Sequence, residues 1–238
     1  MISRSHSDRL KAVLLAAFLA LVIGPVEAQT SKPQEQAPAI NRQLTGTAFY
    51  VDETGHMLTA RHAVENCARL IITKESKQVD ARVVAVSDRY DIALIKTRRT
   101  QGLAAVFPRA STADIDDMMF AAGYDALAGL LSGGGVLANA RVISSFGGSE
   151  MGHLVLDSPV RSGASGAPVL DRNGLVQGVV SRRTMINRVL AVGATEARSF
   201  LARQGVHVRQ DDRPQIAANG SRAHRAASIS ARVTCLQR

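Results

Sequence analysis

Residues 163–168 read GASGAP, with one hydroxyl, Ser165, among small residues. Such a run fits a tight turn, or a nucleophile presented at its apex. A serine attacks a carbonyl only when a neighbouring base takes its proton, and the base must itself be held in orientation. The histidines beyond the N-terminal leader are His56, His62, His153, His207 and His224. His62 has the most constrained setting. It lies in LTARHAV (58–64), where an apolar run turns into a short helical stretch, a corner that fixes a side chain at the end of a sheet. Asp91, at the head of DIALIK (91–96), is the candidate orienting acid, and Asp88 is its rival. Together His62, Asp91 and Ser165 would supply base, orienter and nucleophile for acyl transfer.

These residues need a rigid frame, and the sequence is written in short β-type runs. GTAFYV (46–51), ARLIIT (68–73), ARVVAVS (81–87), HLVLDS (153–158), LVQGVVS (175–181) and RVLAVG (188–193) are rich in Val, Ile and Leu. Turn chemistry separates them, as in DETGH (52–56) and SDRYD (87–91); DRNG (171–174) predicts a hairpin. Many short strands at close spacing point to an all-β sandwich or barrel. Two stretches look helical, 60–67 and 194–205, the latter stopping at Gly205. Residues 125–139 are expected to form a loop, and 206–228 an irregular connection. ISARVTC (229–235) alternates as a final strand.

The first 28 residues carry Arg4, Arg9 and Lys11, then the uncharged apolar run AVLLAAFLALVI, then small residues ending at Ala28. This is the pattern of a secretory signal peptide cleaved near Ala28. The apolar run is too short for a bilayer span of about 20 residues, so no stable membrane anchor is expected. Residues 29–44 read as a flexible leader. Export to the periplasm or beyond favours a disulfide between the two cysteines, Cys67 and Cys235; two buried free thiols are the alternative. The formal charge is +9. Its basic residues are scattered without interleaved aromatics, which argues against a nucleic-acid partner. No Cys/His spacing suits a metal and no phosphate-binding loop is present, so neither metal nor cofactor is expected.

Taken in order, GTAF leading to TARH, then DIAL, then GASGAP resemble the chymotrypsin-like (trypsin-fold) serine peptidases, and more nearly their bacterial HtrA-like branch. The resemblance covers about 45–196. It implies two six-stranded antiparallel β-barrels, about 45–107 and 117–196, with a short C-terminal helix. It implies Ser165 as nucleophile, His62 as general base and Asp91 as its orienter. The N–H groups of Gly163 and Ser165 would form an oxyanion hole. Substrates would be polypeptides, cut through an acyl-enzyme; oligomeric state is not implied. The P1 pocket would lie between 157–162 and 178–183, with Val179, Val180 and Ser181 as substrate-binding residues. Pro159 stands where tryptic members hold an acid, which favours a small or medium apolar P1 residue.

Departures from the family pattern carry their own expectations. Ala164 replaces the aspartate that pairs with a new N-terminus in digestive members, so activation by N-terminal insertion is not expected. Ala167 replaces the commoner glycine. Arg61 would favour a neutral His62 if it pointed inward. Residues 197–238 are too few for the PDZ domain that HtrA proteins usually carry. This tail (helix, irregular segment and final strand) is expected to pack back on the protease domain, with the disulfide pinning it beside His62. A non-catalytic trypsin-fold binding protein is the alternative reading.

Overall fold

Strand β1 (Arg42–Tyr50) is exposed at its polar start and buried from Gly46 onward, because its second half is covered on both faces. In the computed structural model, which describes residues 42–238 apart from 112, 134–138, 146–151 and 218–219, this strand begins the first of two barrels. The signal peptide and most of the leader therefore lie outside the described residues, and the strand takes up the leader's last residues, 42–44. Strands β2 (His56–Thr59), β3 (Cys67–Lys74), β4 (Lys77–Val86) and β5 (Ala93–Lys96) follow. β1 pairs with β2, β2 with β5, β5 with β4 and β4 with β3, all antiparallel. Alternate side chains turn inward, so Ala48, Tyr50, Met57, Leu70, Ile72, Ala93 and Ile95 fill the interior.

The second barrel follows a short strand β6 (Val106–Phe107). It comprises β7 (Met118–Met119), β8 (Ala140–Ser145), β9 (His153–Asp157), β10 (Pro168–Leu170), β11 (Val176–Met185) and β12 (Arg188–Gly193). The sheet order is β10-β11-β12-β9-β8-β7. A bridge between Phe120 and Leu170, with both N–H···O distances at 2.8 Å, carries the end of β7 back to β10 and nearly closes the barrel. DRNG forms the expected β10–β11 turn: Asp171 Oδ1 accepts from the Asn173 N–H at 2.8 Å, and Gly174 takes a positive φ of 74°.

Three helices complete the fold. α1 (Tyr124–Ser132) lies where a loop was expected, while 134–138 of that stretch are outside the described residues. Its Ala and Leu residues carry enough helical preference to form two turns despite Gly129. α2 (Ala194–Arg203) is the predicted C-terminal helix. Beyond it, β13 (Arg209–Gln210) pairs in parallel with β6. α3 (Arg222–Ile229) then replaces the end of the expected irregular connection. Its N-terminus is capped by Ser221, whose Oγ accepts from the His224 N–H. Phe200 and Leu201 of α2 and Ala226 and Ile229 of α3 share one core with Phe49, Leu58 and Leu94 of the first barrel and Phe120, Leu170 and Val179 of the second.

The last strand, β14 (Ser230–Gln237), inserts between β1 and β3 and is antiparallel to both. The first barrel is thus closed by a strand from the far end of the chain. The Cys67–Cys235 disulfide joins β3 to β14. At the other end of the strand, the buried Lys74 donates from Nζ to the carbonyls of Ala227 (2.6 Å) and Ser230 (2.9 Å), fastening the α3–β14 junction.

Candidate active site

The register of β2 with β5 sets Thr59 opposite Ala93. Residues just after Thr59 and just before Ala93 are therefore neighbours. His62 occupies a 3₁₀ turn (Arg61–Ala63) at that end, and Asp91 lies two residues before β5. The His62 N–H donates to Asp91 Oδ1 at 3.0 Å, and its Nδ1 lies 2.8 Å from Asp91 Oδ2. Nε2 faces the second barrel, 3.0 Å from Ser165 Oγ. A proton on Nδ1 satisfies this chain of contacts and leaves Nε2 free to accept from the serine. Asp88 is exposed and takes no part. The other histidines are not part of this cluster: His56 meets Asp52, His153 stacks edge-on to Tyr90, and His224 caps α3.

Ser165 stands in a turn locked from both barrels. On its own side, the Gly166 N–H donates to Val180 O (2.7 Å) and the Val180 N–H to Ala167 O (2.9 Å). From the first barrel comes Thr47, fully buried. Its N–H donates to Ser165 O at 2.8 Å, and its hydroxyl donates to Gly163 O at 2.7 Å while accepting from the Tyr124 N–H at 2.9 Å. Gly166 has a φ of 85°, and a Cβ there would collide with the Thr47 carbonyl, so no other residue fits. Gly163 also has a positive φ, 88°. Among the described residues, no protein group accepts from the N–H of Gly163 or of Ser165. Ala164 and Ala167 are buried in the second barrel's core, which has room for both methyls.

Burial disfavours charge on Asp91, but hydrogen bonds from the His62 side chain, the Ser181 hydroxyl and the His62 N–H outweigh it and hold the carboxyl below its ordinary value. The hydrogen bond to Asp91 raises the His62 imidazole above its ordinary value. Partial burial opposes this, and the charge of Arg182 opposes it further. Arg61 is not the charge at issue. It points away, donating from Nη1 to Ser87 O at 2.9 Å, with Nε 3.1 Å from Glu65.

The structure places the three expected substrate-binding residues on β11 with their side chains turned inward. The side chains of Val179 and Val180 are 0% and 2% exposed and pack into the cores of the molecule. Ser181 is buried as well, and its hydroxyl donates to Asp91 Oδ2 at 2.7 Å. On the β10 side, the backbone of β11 is engaged by the nucleophile turn through Val180 and is open only from Ser181. Sequence reasoning missed the contacts of Thr47 and Ser181. Both residues lie within runs already singled out, but their partners are distant in sequence. The described residues hold no cluster of His, Cys, Asp or Glu able to bind a metal ion.

This arrangement is chemically equipped for acyl transfer: a hydroxyl on an imidazole, the imidazole on a buried carboxylate, and two N–H groups at the nucleophile. The chain is 28% identical over 234 residues to the uncharacterized protein y4bJ of Sinorhizobium fredii, covering 87% of this chain and 36% of that one. It is 27% identical over 157 residues to a probable periplasmic serine endoprotease DegP-like of Chlamydia trachomatis, covering 63% and 30%. It spans about a third of the length of these curated relatives. The crystal structure of the serine endoprotease from Yersinia pestis superposes with a TM-score of 0.57 over 71% of this chain and 61% of that one, at 17% identity, a likeness of fold. Residues 46–179 match the family model of the trypsin-like peptidase domain, and with more than half of the chain so matched, it belongs to that family.

Proposed function

We propose that this chain is a serine endopeptidase that cuts polypeptides through an acyl-enzyme on Ser165. The observation that carries the reading is the continuous path from Ser165 Oγ to His62 Nε2 (3.0 Å) and from Nδ1 to Asp91 (2.8 Å). Ser165 attacks the peptide carbonyl as His62 takes its proton. The N–H groups of Gly163 and Ser165 stabilise the oxyanion, and the imidazolium, held by Asp91, gives its proton to the leaving amine. Water then repeats the sequence on the ester.

β11 supplies the substrate's place. Its pairing with β10 ends at Pro168–Val179, and its last contact with the nucleophile turn is at Val180. From Ser181 onward, that edge has no strand partner among the described residues. A peptide added antiparallel to it runs its C-terminal end toward Ser165. The residue before the cut is small or medium and apolar, in keeping with Pro159 between the buried Ser158 and Val160. A leader of secretory type and the periplasmic relatives support a periplasmic or secreted location.

The test is labelling by a fluorophosphonate of the full chain, expressed with its own leader, beside Ser165→Ala and His62→Ala. Wild type is expected to label, Ser165→Ala to give no adduct, and His62→Ala to react orders of magnitude more slowly. A folded wild type that takes no label overturns the proposal. A P1 profile dominated by arginine overturns the apolar pocket.

A further inference from the structure

The open edge of β11 changes character at a single residue. Val176 to Ser181 are buried, whereas Arg182, Arg183, Thr184 and Met185 are all exposed. Its pairing with β12 continues through Arg182–Leu190 and Arg183–Val189, and the first two exposed side chains it presents are guanidinium groups. Arg182 is close enough to His62 for its charge to disfavour the imidazolium. Arg161, on the other flank of the nucleophile turn, is exposed too.

Among the described residues, none of Arg161, Arg182 and Arg183 is in an ion pair. The acids around the site are engaged elsewhere: Asp91 with His62 and Ser181, Glu65 with Arg61, and Asp157 beside Arg141 at 3.8 Å. The non-prime side of the cleft is therefore a β edge with unneutralised positive charge on the side chains that flank it. Arg182 and Arg183 keep consecutive register with Leu190 and Val189 between two irregularities of the ladder; successive residues of a strand point to opposite faces, so the two flank a bound peptide strand on both sides.

We propose that Arg182 and Arg183 select substrates carrying Asp or Glu within the first few residues N-terminal to the cleaved bond. This rests on the peptidase reading and on antiparallel addition to β11, and it names the class of polypeptide that site takes. The backbone of Ser181–Arg183 pairs with the substrate whatever its sequence; the guanidinium groups supply the preference. A guanidinium meets a carboxylate with paired N–H donors that an amide cannot match in charge. Complementary charge also speeds encounter, and salt screens it.

The experiment uses fluorogenic peptides that share one small apolar P1 residue and differ at the next three positions: Asp or Glu, against Asn or Gln, against Lys. The expected kcat/KM ratio of acid to amide peptide is about fivefold at low salt, the effect of two exposed ion pairs, falling toward unity in high salt. Arg182→Glu/Arg183→Glu is expected to invert the order, so that the Lys peptide becomes best. Binding of the acid and amide peptides to Ser165→Ala, followed by fluorescence anisotropy, reads the same ratio without turnover. Failure of the chemistry and failure of the selection are thus separate results. An acid-to-amide ratio of one or less in wild type overturns the inference. So does an unchanged ratio in the charge-reversed variant.

Discussion

Asp91 sets the electrostatics of the site by receiving more hydrogen bonds than a buried carboxylate needs. Burial alone would raise its pKa; the donors on His62 and Ser181 bring it below the ordinary value. Its retained charge then holds a proton on His62, whose own pKa is raised. In the proposed mechanism the base must be neutral to accept from Ser165, so activity is expected to be lost as pH falls through the folded-state pKa of His62. Because that pKa is raised, the acid limb of kcat/KM lies above the ordinary histidine value of about 6.5. Asp91→Asn removes the charge and the preferred tautomer. It is expected to move the limb to lower pH and to reduce kcat by about 10⁴-fold, as read from pH–rate profiles of the two proteins. An acid limb that does not move in Asp91→Asn would mean that another group sets it. His62, Asp91 and Ser165 were legible in the sequence because each sits in a recognisable run with its own turn chemistry. The contact of Ser181 with Asp91 was not legible: its run marks it as part of the cleft, but which way a hydroxyl points within a strand depends on a carboxylate 90 residues away.

At the scale of elements, β1 reaches across to the nucleophile turn of the other barrel. Thr47 is fully buried, and its hydroxyl joins the Gly163 carbonyl to the Tyr124 N–H at the start of α1. The Gly163 carbonyl lies in the peptide plane that ends at the Ala164 N–H, between the planes carrying the Gly163 and Ser165 N–H groups, so holding it limits the rotation of both. Thr47→Val keeps the shape and leaves a carbonyl and an N–H without their partner, at a cost of about 2 kcal/mol in stability. The slackened hole is expected to lower kcat about tenfold, or about 1.4 kcal/mol of barrel-to-barrel positioning, with KM little changed. Thr47→Ser is expected to restore kcat. A kcat equal to wild type in a destabilised Thr47→Val would make the hydroxyl purely structural. Helices α1 and α3 are where local sequence pattern is the weaker guide. DALAGLLS buries only Leu127 among the residues of α1, so its small residues look like a loop until a neighbour covers them. RAHRAASI is polar between its alanines, and it is the Ser221 cap and the shared core that make it a helix.

For the whole molecule, the decisive feature is that one barrel is completed by strand β14. ISARVTC is recognisable as a strand, yet its place between β1 and β3 is not. Strand pairing is decided by which edges remain open once the rest has folded, and that is non-local information. The consequence is that the barrel carrying His62 is closed only with β14 in place. The Cys67–Cys235 disulfide makes the arrangement covalent across a sequence separation of 168 residues. Cys235 is fully buried, and Glu65 O, in the loop that follows His62, accepts from Gln237 of β14 at 2.7 Å. Closing so long a loop restricts the unfolded chain by about 5 kcal/mol in the chain-entropy model, an upper figure for the stability gained. For a protein of this size that corresponds to about 10–20 °C in Tm. Cys67→Ser/Cys235→Ser is therefore expected to melt well below the oxidised wild type. Reduction of wild type should bring it down to the variant's Tm, measured by differential scanning calorimetry with and without reductant. Fluorophosphonate labelling of the reduced protein, at a temperature where it remains folded, asks a second question. If β14 holds the His62 turn by its strand pairing alone, labelling persists at the oxidised rate. If the bond itself sets that turn, labelling slows although the protein is folded. A variant that melts with the wild type would show that the strand's pairing to β1 and β3 is sufficient and that the disulfide adds nothing to the closure.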